Sequence, residues 1–155
     1  MPGRGLRQRA HLVGTVDVTH DIREFHFATE GPADFTPGQY ASLVLPGVGV
    51  PRGYSMCNLP NAQGQWHFQV RRVPGVQASA VLFDGWCVGD AVELDGPYGL
   101  AGLRVDSPRD IVCVAGGSGL APMVSIARGA AAAGLLAQPR LHFFYGARTP
   151  RDVCG

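Results

Sequence analysis

Two short segments carry most of the chemistry in this chain. Arg52-Gly53-Tyr54-Ser55 offers a guanidinium, an aromatic face and a hydroxyl along one extended stretch. A forked cation suits a phosphate, and the neighbouring ring suits stacking on a planar ligand. Val114-Ala115-Gly116-Gly117-Ser118-Gly119-Leu120-Ala121-Pro122 is a glycine turn between an apolar strand and the start of a helix. Such a turn leaves the first helical N–H groups facing outward, where they and the helix dipole favour a pyrophosphate. The segment is not the G-x-G-x-x-G fingerprint, and by itself a tight structural turn explains it equally well. Pro122, one turn into the helix, is tolerated because early helical N–H groups need no partner.

Other residues narrow the field. His26 and His67 alternate with apolar neighbours, while His11, His20 and His142 form no ligand spacing, so all five read as structural or surface groups. Cys57, Cys87, Cys113 and Cys154 are widely separated, without the close pairs of zinc or iron–sulfur ligation, and no metal site is expected. Cys113, inside the apolar run Ile111 to Val114, reads as a small hydrophobe. There is no nucleophile elbow and no carboxylate dyad. A net charge of +1 leaves no footprint for nucleic acid, and Arg4, Arg7 and Arg9 read as a solvated basic tail. No apolar stretch follows those arginines as in a signal peptide, and no run nears the about 18 residues of a membrane span. A cytoplasmic protein with reduced thiols and no membrane contact is expected.

These groups need a scaffold. A chain of 155 residues, 46% hydrophobic, can bury a core, and 22 glycines with 12 prolines imply many tight turns between short strands. Strands are expected at His11 to Val18, Ile22 to Phe27, Gln39 to Leu45, Arg52 to Ser55, Gln65 to Arg72 and Ala91 to Leu94. Asn61-Ala62-Gln63-Gly64 should join the fourth and fifth as a hairpin. Gln77 to Asp84 reads as a short helix, and Asp95-Gly96-Pro97-Tyr98-Gly99 as the end of the sixth strand. After a boundary between Gly99 and Pro108 the rhythm becomes strand, helix, strand: Asp110 to Ala115, a buried parallel strand, then Leu120 to Gly134 and Leu141 to Tyr145. The expected fold is an antiparallel Greek-key β barrel over residues 1–104, followed by an incomplete α/β (βαβ) unit over 105–155. Two strands with one crossover helix leave apolar faces poorly covered.

Read in order, Phe35-Thr36-Pro37-Gly38-Gln39-Tyr40, Arg52-Gly53-Tyr54-Ser55, Gly96-Pro97-Tyr98-Gly99, Gly116 to Pro122 and Phe144-Tyr145-Gly146-Ala147-Arg148 resemble the ferredoxin–NADP reductase superfamily. The likeness spans roughly residues 10 to 148. Thr19 to Glu24 and Tyr54 to Pro60 most resemble the reductase components of bacterial toluene- and phenol-type multicomponent monooxygenases. The resemblance implies FAD at the first segment and a nicotinamide dinucleotide at the second. Arg52 would pair with the FAD pyrophosphate. Tyr54, against the isoalloxazine, and Ser55, near flavin N5, would be the catalytic residues. Val70, Arg71 and Arg72 would line the ribityl and pyrophosphate region. Gly75, Val76, Gln77, Ala78 and Ser79 would form the phosphate-holding helix start, with Ser79 matching and Val76 standing where the family has glycine. A β-branched residue resists positive φ, so the loop shifts by one residue or binds more loosely, and Val76→Gly would tighten FAD.

Gly116, Gly117, Ser118 and Gly119 would cradle the nicotinamide nucleotide, and Arg148 would approach its adenosine side. A solvated loop role beside Arg151 suits Arg148 as well. NADH is expected from the most similar relatives, with NADPH as the alternative. Cys154-Gly155 follows Tyr145 too soon to be the pair that closes the nicotinamide pocket. The implied activity passes electrons from NAD(P)H through FAD to an iron–sulfur centre of an aromatic-ring monooxygenase system. With no C-x4-C-x2-C run, the 2Fe–2S cluster belongs to a missing domain or a partner, and an iron–sulfur protein or oxygenase component is the expected partner. The end at Gly155 is read as a C-terminal truncation that would impair hydride transfer. Two other readings share these motifs: a FAD-binding module without NADH oxidation, and an electron-transfer subunit of the dihydroorotate dehydrogenase type.

Overall fold

The computed structural model describes residues 5–137 and 141–154. Six antiparallel strands, β1 (Leu6–Asp17), β2 (Ile22–Thr29), β3 (Tyr40–Val44), β4 (Arg52–Ser55), β5 (Gln65–Arg71) and β6 (Ala91–Tyr98), form one sheet in the order β4-β3-β6-β1-β2-β5. The sheet curls into a nearly closed barrel whose edges, β4 and β5, meet at a single bridge between Met56 and Phe68. Alternation decides what lies inside. In β5, Trp66, Phe68 and Val70 point into the core while His67, Gln69 and Arg71 point out. The helix α1 (Gln77–Asp84) covers that core with Ala78 and Leu82, and Phe83 meets Phe25 edge-on at 5.5 Å.

Three expectations about the barrel need correction. The basic start is no tail: β1 begins at Leu6, and Arg7 reaches Glu93 at 3.4 Å and Asp95 at 3.7 Å on the neighbouring β6. Arg4 lies outside the described residues. The Asn61 to Gly64 turn does not make a two-strand hairpin of β4 and β5, because its backbone pairs with β2 and the loop beyond it, through Gly64 to Thr29 and Asn61 to Ala33. β6 does not stop at Leu94 but continues to Tyr98, and a register shift opposite Tyr40 and Ser42 accommodates Gly96 and Pro97.

Past residue 110 the chain forms β7 (Ile111–Gly116), a 3-10 turn (Gly117–Gly119), α2 (Leu120–Ala132) and β8 (Leu141–Gly146), with β7 and β8 parallel. β7 is not the buried strand its sequence suggests. Only Cys113 is buried, whereas Val112 and Val114 are 62% and 70% exposed and Phe144 of β8 is 59% exposed. The reason is lateral: two strands bury one face against α2 and offer nothing to cover the other. The helix itself docks firmly on the barrel. Fully buried Ser125 donates to the Asn58 carbonyl at 2.8 Å, and Arg128 donates to the Cys57 carbonyl at 3.2 Å. A second small core joins Ile22 of the barrel to Leu120 and Cys154, which leaves Cys154 a packing residue. Among the described residues no helix is long and apolar enough to cross a membrane.

Candidate functional site

Strand alternation sorts the four residues of β4. Tyr54 stands opposite Ala41, which is fully buried, and its ring leans on the core 6.4 Å from Phe68. Burial pushes the Tyr54 phenol up, so it stays neutral. Gly53 and Ser55 face the other way, beside Ser42 and Tyr40. The Tyr40 ring lies over Gly53, where an added Cβ would come within 3.2 Å of it.

A groove of about 300 Å³ runs from β4 past the end of β5 to the start of α1, and includes Arg52, Tyr54, Gln69, Val70, Arg71, Val76, Ala78 and Ser79. It also reaches Ser118 of the glycine turn. Arg52 has no carboxylate partner among the described residues. The other two arginines differ. Arg71 is bonded to Asp21 at 2.7 Å and faces Asp152 at 3.9 Å. Arg72 grips Asp84 through contacts of 2.8 and 3.1 Å and lies over the Phe83 ring.

The start of α1 is open to an anion: no side chain caps it and its first turn carries no acid. Positive φ falls on Gly75, at +77°, while Val76 has an extended backbone with φ −96°. The loop has thus shifted by one residue, and valine sits in a conformation it adopts freely. Ser79 is buried, and its oxygen accepts the Val73 N–H at 2.9 Å, which ties the loop to the helix.

Of the residues expected to hold cofactor, Ser55, Arg72, Gly75 and Gln77 do not line this groove. Gln77 turns away to donate to the Gly47 carbonyl at 2.7 Å. Gly117, with φ +57°, backs onto Arg71, whose guanidinium would lie 3.2 Å from any Cβ there. Gly116 and Gly119 complete that turn. Arg148 stands apart, beside a cavity of about 680 Å³ shared with His20, Thr149 and Asp152. A cavity of about 890 Å³ between β1, β6 and the loop after β3 is lined by neither an aromatic ring nor a helix start.

Gln69 lines the groove and escaped the sequence reading. It lies two residues before Arg71 on the same outward face, so strand alternation alone would have found it. Its Nε2 donates to Glu24 at 3.1 Å, while its Oε1 is buried with no partner among the described residues. An orphaned acceptor calls for an N–H or O–H donor from a ligand, and a flavin carries both on its ring imide and ribityl chain. With a free cation, a core-backed tyrosine and an uncapped helix start around it, the groove fits FAD.

A flavin-type groove on an antiparallel barrel, next to a βαβ unit, defines a class of oxidoreductase. Residues 9–102 match the family described as oxidoreductase FAD-binding domain, and the chain belongs to it. It is 50% identical over 123 residues to the ferredoxin–NAD(+) reductase component of the alkene monooxygenase system of Xanthobacter autotrophicus, covering 79% of this chain and 37% of that protein. It is 39% identical over 150 residues to a ferredoxin–NAD(P)(+) reductase of Metapseudomonas resinovorans, covering 95% and 44%. Among solved structures, the ferredoxin reductase in carbazole 1,9a-dioxygenase superposes with TM-score 0.90 at 36% identity, over 97% of this chain and 45% of that one. The chain spans less than half the length of these relatives.

Proposed function

We propose that this chain is the flavin-carrying part of an NAD(P)H-dependent reductase that delivers electrons to an oxygenase system. The observation that carries the reading is the groove in which unpaired Arg52, core-backed Tyr54, the open start of α1 and the orphaned Gln69 oxygen converge. The relatives' names support it, since each is a reductase acting on a ferredoxin or serving an oxygenase. Residues 1–104 would form the FAD-binding barrel and residues 105–155 part of a nicotinamide-nucleotide-binding domain. NADH is the expected donor, an iron–sulfur protein or oxygenase component the expected acceptor, and the cytoplasm the expected compartment.

When bound, FAD supplies two-electron acceptance from a nicotinamide and stepwise one-electron release. The chain supplies placement. Arg52 neutralises the pyrophosphate, and the N–H groups opening α1 share that charge. Tyr54 presents a neutral ring to the isoalloxazine, whereas Ser55, turned to the other face of β4, would reach the flavin only if the flavin also covers that face. Arg71, fixed by Asp21 and backed against Gly117, sets the glycine turn beside the groove, so that a nicotinamide nucleotide held there adjoins the flavin.

An anaerobic absorbance spectrum of the purified chain, recorded before and after NADH and then NADPH, tests this. Flavin bands that bleach, faster with NADH, are expected. A yellow protein that neither nucleotide bleaches would reduce the reading to a FAD-binding module, and a chain that takes up no FAD would end it.

A further inference from the structure

On the outer face of the barrel, separated from the groove by Gln69, β2 and β5 bring together three groups that could ligate a metal. The register sets His26 directly opposite His67, and their imidazoles stack with centroids 3.7 Å apart and planes at 11°. Glu24, two residues before His26, shares that face, and its Oε1 lies 2.8 Å from His26 Nε2 and 3.6 Å from His67 Nδ1. One donor atom from each lies within 4.8 Å of the others. The side chains are 20–24% exposed, shielded yet reachable from solvent.

The geometry points to a binding site for a divalent transition-metal ion of the zinc class, formed by Glu24, His26 and His67. Ligand atoms about 2.0–2.1 Å from a tetrahedral ion stand roughly 3.3 Å apart, close to the spacings of 2.8 and 3.6 Å. The shorter spacing is a His26–Glu24 hydrogen bond that the ion would replace, and one imidazole would turn out of the stack so that both ring lone pairs meet on the ion. Two imidazoles and a carboxylate suit zinc, cobalt or nickel, whereas calcium and magnesium prefer oxygen alone. The ligands sit on adjacent paired strands, and Gln69 Nε2 holds the second Glu24 oxygen at 3.1 Å, orienting the carboxylate from behind. Cys57 directs its thiol to the His67 carbonyl at 3.3 Å and lies beside Glu24.

The second cluster of ligand-type residues, His20, Asp21 and Asp152, carries no such proposal, because Arg71 faces both of its carboxylates and Arg148 reaches Asp152. Arg128 of α2, bonded to the Cys57 carbonyl, brings a positive charge near the proposed site that opposes a cation there. Because Gln69 touches both Glu24 and the groove, metal occupancy would be felt there. The site itself stands independently of the proposed activity.

The test uses the untagged full chain after chelator treatment. Titration with Co²⁺, followed by its visible d–d bands, is expected to saturate at one equivalent and to be reversed by Zn²⁺. His26→Gln and His67→Gln, with wild-type thermal midpoints as the folding check, should each weaken uptake by about tenfold or more. In the unaltered chain, Co²⁺ should broaden the imidazole proton signals of His26 and His67 first, which locates the ion without any substitution. Absence of saturable uptake, broadening centred on His20 or His142, or uptake undiminished in both variants would overturn the proposal.

Discussion

Three arginines near the groove look interchangeable in the sequence, and their partners separate them. Arg72 spends its fork on Asp84 and Arg71 on Asp21, which leaves Arg52 as the cation with charge to offer a phosphate. A charge-assisted hydrogen bond contributes about 1.5–3 kcal/mol, equivalent to roughly 10- to 100-fold in affinity. Arg52→Ala should weaken FAD binding by that factor and Arg72→Ala by much less, read by flavin fluorescence titration. Undiminished affinity in Arg52→Ala would mean that Arg52 holds no phosphate, and equal losses would mean that Arg72 shares the role. Val76→Gly, which the sequence alone suggests should tighten FAD, is now expected not to do so, because Gly75 already supplies the positive φ.

At the level of elements, α2 depends on a bare backbone at Gly129. Ala normally stabilises a helix interior by about 1 kcal/mol relative to Gly. Here a Cβ would stand 2.7 Å from Pro37 Cγ and 3.1 Å from Leu103 Cδ2, and the proline ring cannot swing away. Overpacking outweighs propensity, so Gly129→Ala should destabilise the chain by about 1–2 kcal/mol in urea unfolding. A gain in stability would show that α2 does not press on that loop.

Across the whole molecule, the barrel is joined to the βαβ unit by charge as well as by packing. Asp21 and Arg71 belong to the barrel, and Asp152 belongs to the segment after β8. Burial pushes the Asp21 carboxyl up, yet hydrogen bonds from Arg71 and Thr19 outweigh it and hold it below its ordinary value. The Thr149 hydroxyl, with nearby cations, does the same for Asp152. A carboxyl depressed in the folded state contributes stability that is complete above its unfolded value near 4 and is lost as the pH falls through the folded one. The thermal midpoint should therefore drop below about pH 4, and Asp152→Asn, which removes the carboxylate that Arg71 and His20 face across the joint, should flatten that drop. An unchanged acid limb in this variant would remove the joint as its cause.

How much of this was legible beforehand follows from the range of each interaction. The strands, α1, α2 and the motif around Arg52 to Ser55 were written in local alternation and turn chemistry, because side-chain period and glycine placement act over a few neighbours. The hairpin expected at Asn61 to Gly64 failed because the partner of a strand is chosen by distant residues, here β2. Gln69 as a groove residue, the division of labour among Arg52, Arg71 and Arg72, and the meeting of Glu24 and His26 with His67 across some forty positions of sequence were decided by the register of β2 on β5 and by the partners that tertiary packing supplies. The sequence by itself determined which groups are present and on which strand faces they stand. Only the tertiary structure decided which of them remain free to meet a ligand, because a charge or lone pair is available only after its nearest neighbours in space have been satisfied.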